Sequence, residues 1–191
     1  MRINEKQLQM KVLIETERLI IRELEYADEK DLFEMDSDPE VHLFIENNPV
    51  KSIDEITKVI GMLKVQYKEN GIARWAVVDK LTNECVGWSG LKYFNEPLNN
   101  HHNFYELGYR FKKKHWGKGF ATESSNAILE YGFKNLNVDS IFAVTDPKNL
   151  NSKKVLSKLG FTLEETFDYD GDMTDWFELK RTIWENSKPN R

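Results

Sequence analysis

Residues 104–133 read FYELGYRFKKKHWGKGFATESSNAILEYGF, and this stretch decides the fold. Phe104–Phe111 has the apolar and aromatic content of a strand. A basic loop follows. Lys118–Leu136 then carries Phe120, Ala127, Ile128 and Tyr131 on one helical face. Ser140–Val144 is a short apolar strand. Strand, helix, strand in this order form a βαβ unit, whose two strands run parallel with a right-handed crossover.

Upstream, residues 13–24 (LIETERLIIREL) alternate as a first strand, although Glu15–Arg18 is polar. Asp28 is placed to cap a helix over Glu29–Asp36. Ser52, with Glu55 three residues on, forms a capping-box pattern. The helix it opens carries Ile56, Val59, Ile60, Leu63 and Tyr67 at helical spacing and ends at Asn70-Gly71. Arg74–Asp79 and Cys85–Phe94 read as strands around a turn. Downstream, Asn149–Leu159 reads as a helix closed by Gly160. Phe161–Tyr169 and Met173–Ile183 flank Asp170-Gly171, a strong hairpin signal. The expected fold is a single α/β domain over residues 1–191. It is built on a mixed, mostly antiparallel twisted sheet of six to seven strands, with a central parallel pair and flanking helices.

The chain has 191 residues, 40% of them hydrophobic and 12% aromatic, which indicates a globular protein. Its net charge of -5 argues against a nucleic-acid partner, because neutralising phosphates takes a basic face. Cys85 is the one cysteine, so no internal disulfide or cysteine-based metal cluster forms. A reducing, cytoplasmic setting is expected, with no membrane partner, since no apolar run approaches the length of a bilayer span.

The loop Lys114-His115-Trp116-Gly117-Lys118-Gly119-Phe120-Ala121 lies between a strand and a helix. Its two glycines let the backbone curl, and the helix start offers unpaired N–H groups and a positive dipole end. Such a place suits a pyrophosphate, and Lys112, Lys113, Lys114 and Lys118 add positive charge. With Thr122 where a third glycine would stand, it is not a dinucleotide fingerprint; with no Gly-Lys-Ser/Thr, it is not a P-loop. Asn149 and Ser152 open the next helix, where capping is the plain reading.

These residues together resemble the GNAT superfamily of acetyl-CoA-dependent N-acetyltransferases, in its RimJ/RimL-like branch. The resemblance rests on four motifs in order. They are Glu106-Leu107-Gly108-Tyr109, then Trp116 through Glu123, then Asn149-x-x-Ser152, then Lys158-Leu159-Gly160-Phe161. Thr16-Glu17-Arg18-Leu19-Ile20-Ile21-Arg22 matches that branch's opening strand. The resemblance implies acetyl-CoA as cosubstrate and no metal. Backbone amides of Lys114–Gly119, extending to Phe120 and Ala121, would grip the pyrophosphate. Tyr109 and Phe111 would pair by backbone with the pantetheine arm, and Asn149 would bond to it from its side chain. Lys114 departs from the Arg or Gln the family favours there, and Leu156 stands where a tyrosine often does.

Acetyl transfer needs an unprotonated amine, so a carboxylate near the acceptor serves as base; Glu106 is the candidate. Ser152 is the candidate hydroxyl for the departing sulfur. His101 and His102 read as exposed loop histidines, Cys85 as a small buried residue, and Trp116 and Trp176 as neighbours of the site. The acidic stretch Glu164-Glu165, Asp168, Asp170, Asp172 and Asp175 is either a draw for a cationic acceptor or a solvated hairpin tip. The acceptor is a protein N-terminus or a small amine. A catalytically silent acetyl-CoA-binding module and a nucleotide-binding domain are the alternatives, and a homodimer stays open.

Overall fold

The computed structural model describes residues 12–45 and 47–187. Eight strands form one sheet in the order β1-β2-β3-β4-β5-β6-β8-β7. They are β1 (Val12–Glu15), β2 (Leu19–Arg22), β3 (Arg74–Asp79), β4 (Glu84–Phe94), β5 (Phe104–Phe111), β6 (Ser140–Thr145), β7 (Thr162–Tyr169) and β8 (Asp172–Lys180). Every neighbouring pair is antiparallel except β5 and β6, as the βαβ reading requires.

The sheet has one strand more than six to seven because residues 13–24 turn back on themselves. The polar Thr16–Arg18 segment makes the turn: Thr16 N–H donates to Leu19 O (3.0 Å), and Leu19 N–H donates to Thr16 Oγ1 (3.0 Å). The last strand stops at Lys180, short of Ile183. Arg181 swings its guanidinium onto the carbonyls of Val138 and Phe133, and Arg181–Asn186 continues as a short helix, α6.

Helices α1 (Glu29–Asp36), α2 (Pro39–His42) and α3 (Ile53–Asn70) lie on one side of the sheet. Leu32, Met35, Ile56 and Ile60 there bury against Ala76 and Val78 of β3. Asp28 stands at the start of α1, but its carboxylate does not cap that helix. It accepts from Glu25 N–H (2.9 Å) and pairs with Arg22 (2.7 Å) instead. Glu55 does return to Ser52 N–H (2.9 Å), as the capping box requires. On the other side, α4 (Phe120–Asn135) and α5 (Leu150–Lys158) cover the sheet. Ile128, Leu129 and Phe133 pack with Trp75, Leu91, Leu107 and Ile141 in the larger core. Burying such side chains contributes roughly 1.5–3 kcal/mol each.

Candidate active site

The parallel pair opens the site. β5 pairs with β4 along its whole length, from Phe104↔Phe94 to Phe111↔Gly87. With β6 it shares one registered pair, Glu106↔Phe142. Past Glu106, the β6 side of β5 is therefore an open gap. Lys112 N–H donates to Val86 O (3.0 Å), so by antiparallel alternation the amides of Tyr109 and Phe111 point away from β4, into the gap. Side chains alternate as well. Glu106 and Arg110 face the α1–α3 side, where Arg110 meets Asp36 (2.7 Å). Tyr109 and Phe111 face the other side, where both pack near Phe120.

Glu106 is only 7% exposed. Its Oε2 accepts from Arg74 Nη2 at 2.7 Å. Arg74 lies over the Trp88 ring, 4.6 Å from its centroid. It also lies over Gly108, where a Cβ would stand 2.5 Å from Arg74 Nη1. The glycine of Glu-Leu-Gly-Tyr thus makes room for the guanidinium that holds the glutamate. The motif showed the glycine, but Arg74, thirty-two residues earlier, carried no signal of its own.

Across the strand, Tyr109 Oη lies 3.0 Å from Ser152 Oγ and donates to Ser152 O at 3.3 Å. Burial pushes the tyrosine pKa up to about 12, with the Ser152 hydrogen bond working the other way. Leu156 is core, 1% exposed, so Tyr109 brings a phenol to Ser152 from the strand instead of from the helix. The sequence reading gave Tyr109 a backbone role only. Asn149 Oδ1 accepts from Ser152 N–H (3.0 Å), so the capping reading holds for its oxygen, and its amide nitrogen is the group left to meet a ligand.

The glycine turn has the geometry of an anion site. Gly117 (φ +73°) and Gly119 (φ +83°) are both left-handed, and Gly119 caps α4. A side chain strains either position. His115 N–H and Trp116 N–H are taken up by Lys112 O and Lys113 O. The amides left for a ligand therefore begin at Gly117 and run into the first turn of α4. Arg18 reaches this turn from β2's flank: Nη1 donates to Lys118 O (2.9 Å) and Nε to Glu123 Oε2 (2.7 Å), while Thr16 Oγ1 donates to Glu123 Oε1 (2.6 Å).

Residues 18–162 match the family described as acetyltransferase (GNAT) domain. This chain belongs to the GNAT acetyltransferase family. It is 33% identical over 149 residues to the uncharacterized N-acetyltransferase p20 of Bacillus licheniformis, covering 78% of this chain and 82% of that one. A GNAT-family acetyltransferase of Bacillus anthracis superposes with TM-score 0.72 at 26% identity, covering 87% of this chain and 97% of the other. Spermidine N-acetyltransferase from Vibrio cholerae, solved with CoA and spermine, shares the fold at TM-score 0.71 and 21% identity, covering 90% and 100%. The GNAT acetyltransferases are acyltransferases, and so is this enzyme.

Within that GNAT frame, the basic loop differs from its sequence reading. Lys112 is buried, and its ammonium bonds to Asp31 (2.7 Å), Glu34 (2.8 Å) and Glu84 (2.7 Å). Burial opposes the ammonium, yet the three carboxylates hold its pKa above the ordinary lysine range. Lys114 pairs with Glu34 and Glu84, and Lys113 with Glu40. These three lysines therefore neutralise acids of α1, α2 and β4 instead of adding charge to the anion site. Asp31, Glu34 and Glu84 offer converging oxygens of the kind that bind a metal, but the cation they hold is Lys112. Burial works upward on the Glu84 carboxyl, and the lysine hydrogen bonds outweigh it and hold it at about 2.

His115 is 7% exposed, 3.5 Å from Glu84, with both ring nitrogens lacking a hydrogen bond. Burial lowers its pKa, so it is neutral near pH 7 and supports the loop from beneath. Trp116 is half-exposed and fixed by its Nε1–H to Phe111 O (2.8 Å). Phe120 is buried under Arg18, and Ala121 packs beside it.

Cys85 is buried, and burial pushes its thiol up to about 12, which rules it out as a nucleophile. His101 is exposed but stacks on Trp176 (5.1 Å), over a cluster with Phe104 and Phe142 that borders Glu106. His102 is exposed. Asp175 does not belong to a solvated acidic tip: it is 1% exposed and held by Lys153 and Thr166. A groove of about 840 Å³ opens elsewhere, between α4, the end of α5 and α6. Glu106, Tyr109 and Gly117–Gly119 do not line it, although Thr16 and Glu123 do. No helix among the described residues is long and apolar enough to cross a membrane.

Proposed function

We propose that the protein transfers the acetyl group of acetyl-CoA directly to a primary amine at the β5–β6 gap. One observation carries the reading. A buried carboxylate, Glu106, and a pair of hydroxyls, Tyr109 and Ser152, project to opposite faces of the strand that borders the gap. The unpaired amides from Gly117 into α4 follow directly along the chain.

The residues fit the cofactor. The left-handed glycines turn amides toward a diphosphate, and nothing lies within 4 Å of a Cβ built on Gly117. The amides of Tyr109 and Phe111 offer an edge for the amide groups of the pantetheine arm, with Asn149 Nδ2 beside it. Lys118 is the loop lysine without an ion pair among the described residues, so it is the one placed to add charge. The solved complex of the Vibrio cholerae relative with CoA supports the same cofactor here.

The amine approaches Glu106. Its nitrogen attacks the acetyl carbon as a proton passes to Glu106, directly or through water, and the carbon–sulfur bond breaks. An amide facing the gap, Phe111 or Tyr109, offers a hydrogen bond to the carbonyl oxygen as charge develops. The sulfur leaves on the opposite face. A phenol with a pKa of about 12 holds its proton against a thiolate of ordinary pKa near 8.5. Tyr109 and Ser152 therefore stabilise the thiolate by hydrogen bonding, and solvent supplies its proton. The acceptor is a protein N-terminus or a small molecule. The RimJ/RimL-like branch fits the motif set, and solved ribosomal-protein acetyltransferases share the fold. A cytoplasmic setting agrees with the single, buried thiol.

A thermal-shift series with acetyl-CoA, CoA, ATP and NAD tests the cofactor. Stabilisation by both CoA species, and by neither nucleotide, is expected. Stabilisation by ATP or NAD alone would contradict it. Release of free CoA on adding an amine tests the transfer.

A further inference from the structure

Three strands place an unusual set of charges on the Glu106 face. Lys92 of β4 is the direct cross-strand partner of Glu106, which puts their Cβ atoms about 5 Å apart. Arg74 of β3 reaches over Gly108 to hold Glu106 Oε2 at 2.7 Å. Arg110, further along β5, is matched by Asp36 of α1. Lys92 forms no ion pair among the described residues; its ammonium stands 4.0 Å from the centroid of the Phe94 ring. Burial, and then the charge of Arg74, lower its pKa, while Glu106 works the other way. Arg74 and Lys92 against one Glu106 leave a single positive charge in excess, half-buried and next to the candidate base.

We propose that the acceptor is a small amine that also carries an anionic group on a neighbouring carbon, as an α-amino acid does, with Lys92 binding that group while the amine lies at Glu106. The inference rests on the amine-transfer reading above and narrows its acceptor.

The chemistry follows from the charge balance. A half-buried ammonium with only an aromatic ring for company gains from an anionic partner, because charge-assisted hydrogen bonds strengthen as water is excluded. As direct cross-strand partners on one face, Lys92 and Glu106 can approach the two groups of one small molecule, its carboxylate and its amine. A polyamine meets the opposite situation. Its second ammonium faces Lys92 and Arg74, and like charges brought together disfavour the complex. The β7–β8 hairpin reaches this face through Phe167 and Trp176; of its acids, Glu165 accepts from Asn99 Nδ2 and Asp175 is matched by Lys153.

The test compares acceptors after acetyl-CoA binding has been measured by calorimetry. kcat/KM is measured for the α-amino acids as free carboxylates, for the same compounds as carboxamides, and for spermidine. The set is repeated with Lys92→Glu, and with Lys92→Met should the first variant fail to bind acetyl-CoA. A carboxamide has the less basic amine, so intrinsic reactivity at neutral pH favours it over the carboxylate. The proposal expects at least one carboxylate to exceed its amide by about tenfold or more, the scale of one charge-assisted contact. It also expects Lys92→Glu to abolish that preference through KM, with acetyl-CoA affinity retained. Equal or better use of the amides or of spermidine would overturn it, as would a preference that survives in the Lys92 variant that binds acetyl-CoA. Failure of the wild-type protein to bind acetyl-CoA would instead overturn the transfer reading beneath it.

Discussion

The two halves of the proposed site are built in different ways. The cofactor half lies mostly in one stretch, Tyr109 through Glu123, with Asn149 and Ser152 added from the start of α5, and its chemistry comes mainly from backbone: two left-handed glycines, a helix start, and amides that alternate along β5. The acceptor half is assembled from β3, β4, β5 and α1, and its chemistry comes from side chains that meet only in the folded protein: Arg74, Lys92, Glu106, Arg110 and Asp36. A backbone site leaves a compact trace in the sequence because turn geometry demands particular residues at fixed spacing. A side-chain site leaves scattered charges, each of which reads as an ordinary surface residue.

Five substitutions test the two halves and the acidic cluster beside them. Glu106→Gln acts on the acceptor half and is expected to lower kcat/KM for the amine by about 10²–10⁴-fold at neutral pH, with acetyl-CoA affinity within twofold of wild type. A rate within twofold of wild type across pH 6 to 9 would remove Glu106 as the base. Gly119→Val acts on the cofactor half. Its φ of +83° is costly for a β-branched residue, so acetyl-CoA affinity falls by about tenfold or more, as read by calorimetry; the misplaced amides cost roughly 1–3 kcal/mol.

Lys112→Met removes the buried ammonium that Asp31, Glu34 and Glu84 share, leaving Lys114 to pair with Glu34 and Glu84. Breaking a buried pair costs about 3–5 kcal/mol. The acids here are 23–51% exposed, so about 2 kcal/mol is expected in denaturant unfolding after allowing for solvent screening. The same cluster sets an acid limb. Glu84 sits near 2, below its ordinary 4.5, so the stability it contributes is full above pH 4.5 and is lost as pH falls toward 2. Melting temperature against pH should fall less steeply across that window in Glu84→Gln than in wild type. Tyr109→Phe is the mildest change. It removes one hydrogen bond behind Ser152, and a severalfold drop in kcat with little change in KM is expected, on the order of 1 kcal/mol.

Much of the fold was legible because each element carried its own signal. The parallel pair followed from one βαβ stretch, and the final hairpin from Asp170-Gly171. The first strand was misread because Thr16–Arg18 is polar but lacks glycine or proline. Its turn is closed by the Thr16 hydroxyl, which leaves little mark in the sequence. The Thr16–Arg22 segment and the Thr122-Glu123 pair were both visible as motifs. That Thr16 and Arg18 bind Glu123 was not visible, because more than a hundred residues separate them. The lysines misled for the same reason. A run of three reads as a basic loop until the acids of α1 and β4 are folded onto it.

The most direct test is a crystal structure of the protein with CoA. The expected result places the diphosphate within hydrogen-bond reach, about 3 Å, of amides between Gly117 and the first turn of α4. It also places the sulfur in the β5–β6 gap beside Ser152 Oγ, with Glu106 on the opposite face. CoA bound instead in the groove between α4, the end of α5 and α6, with the gap empty, would contradict the account.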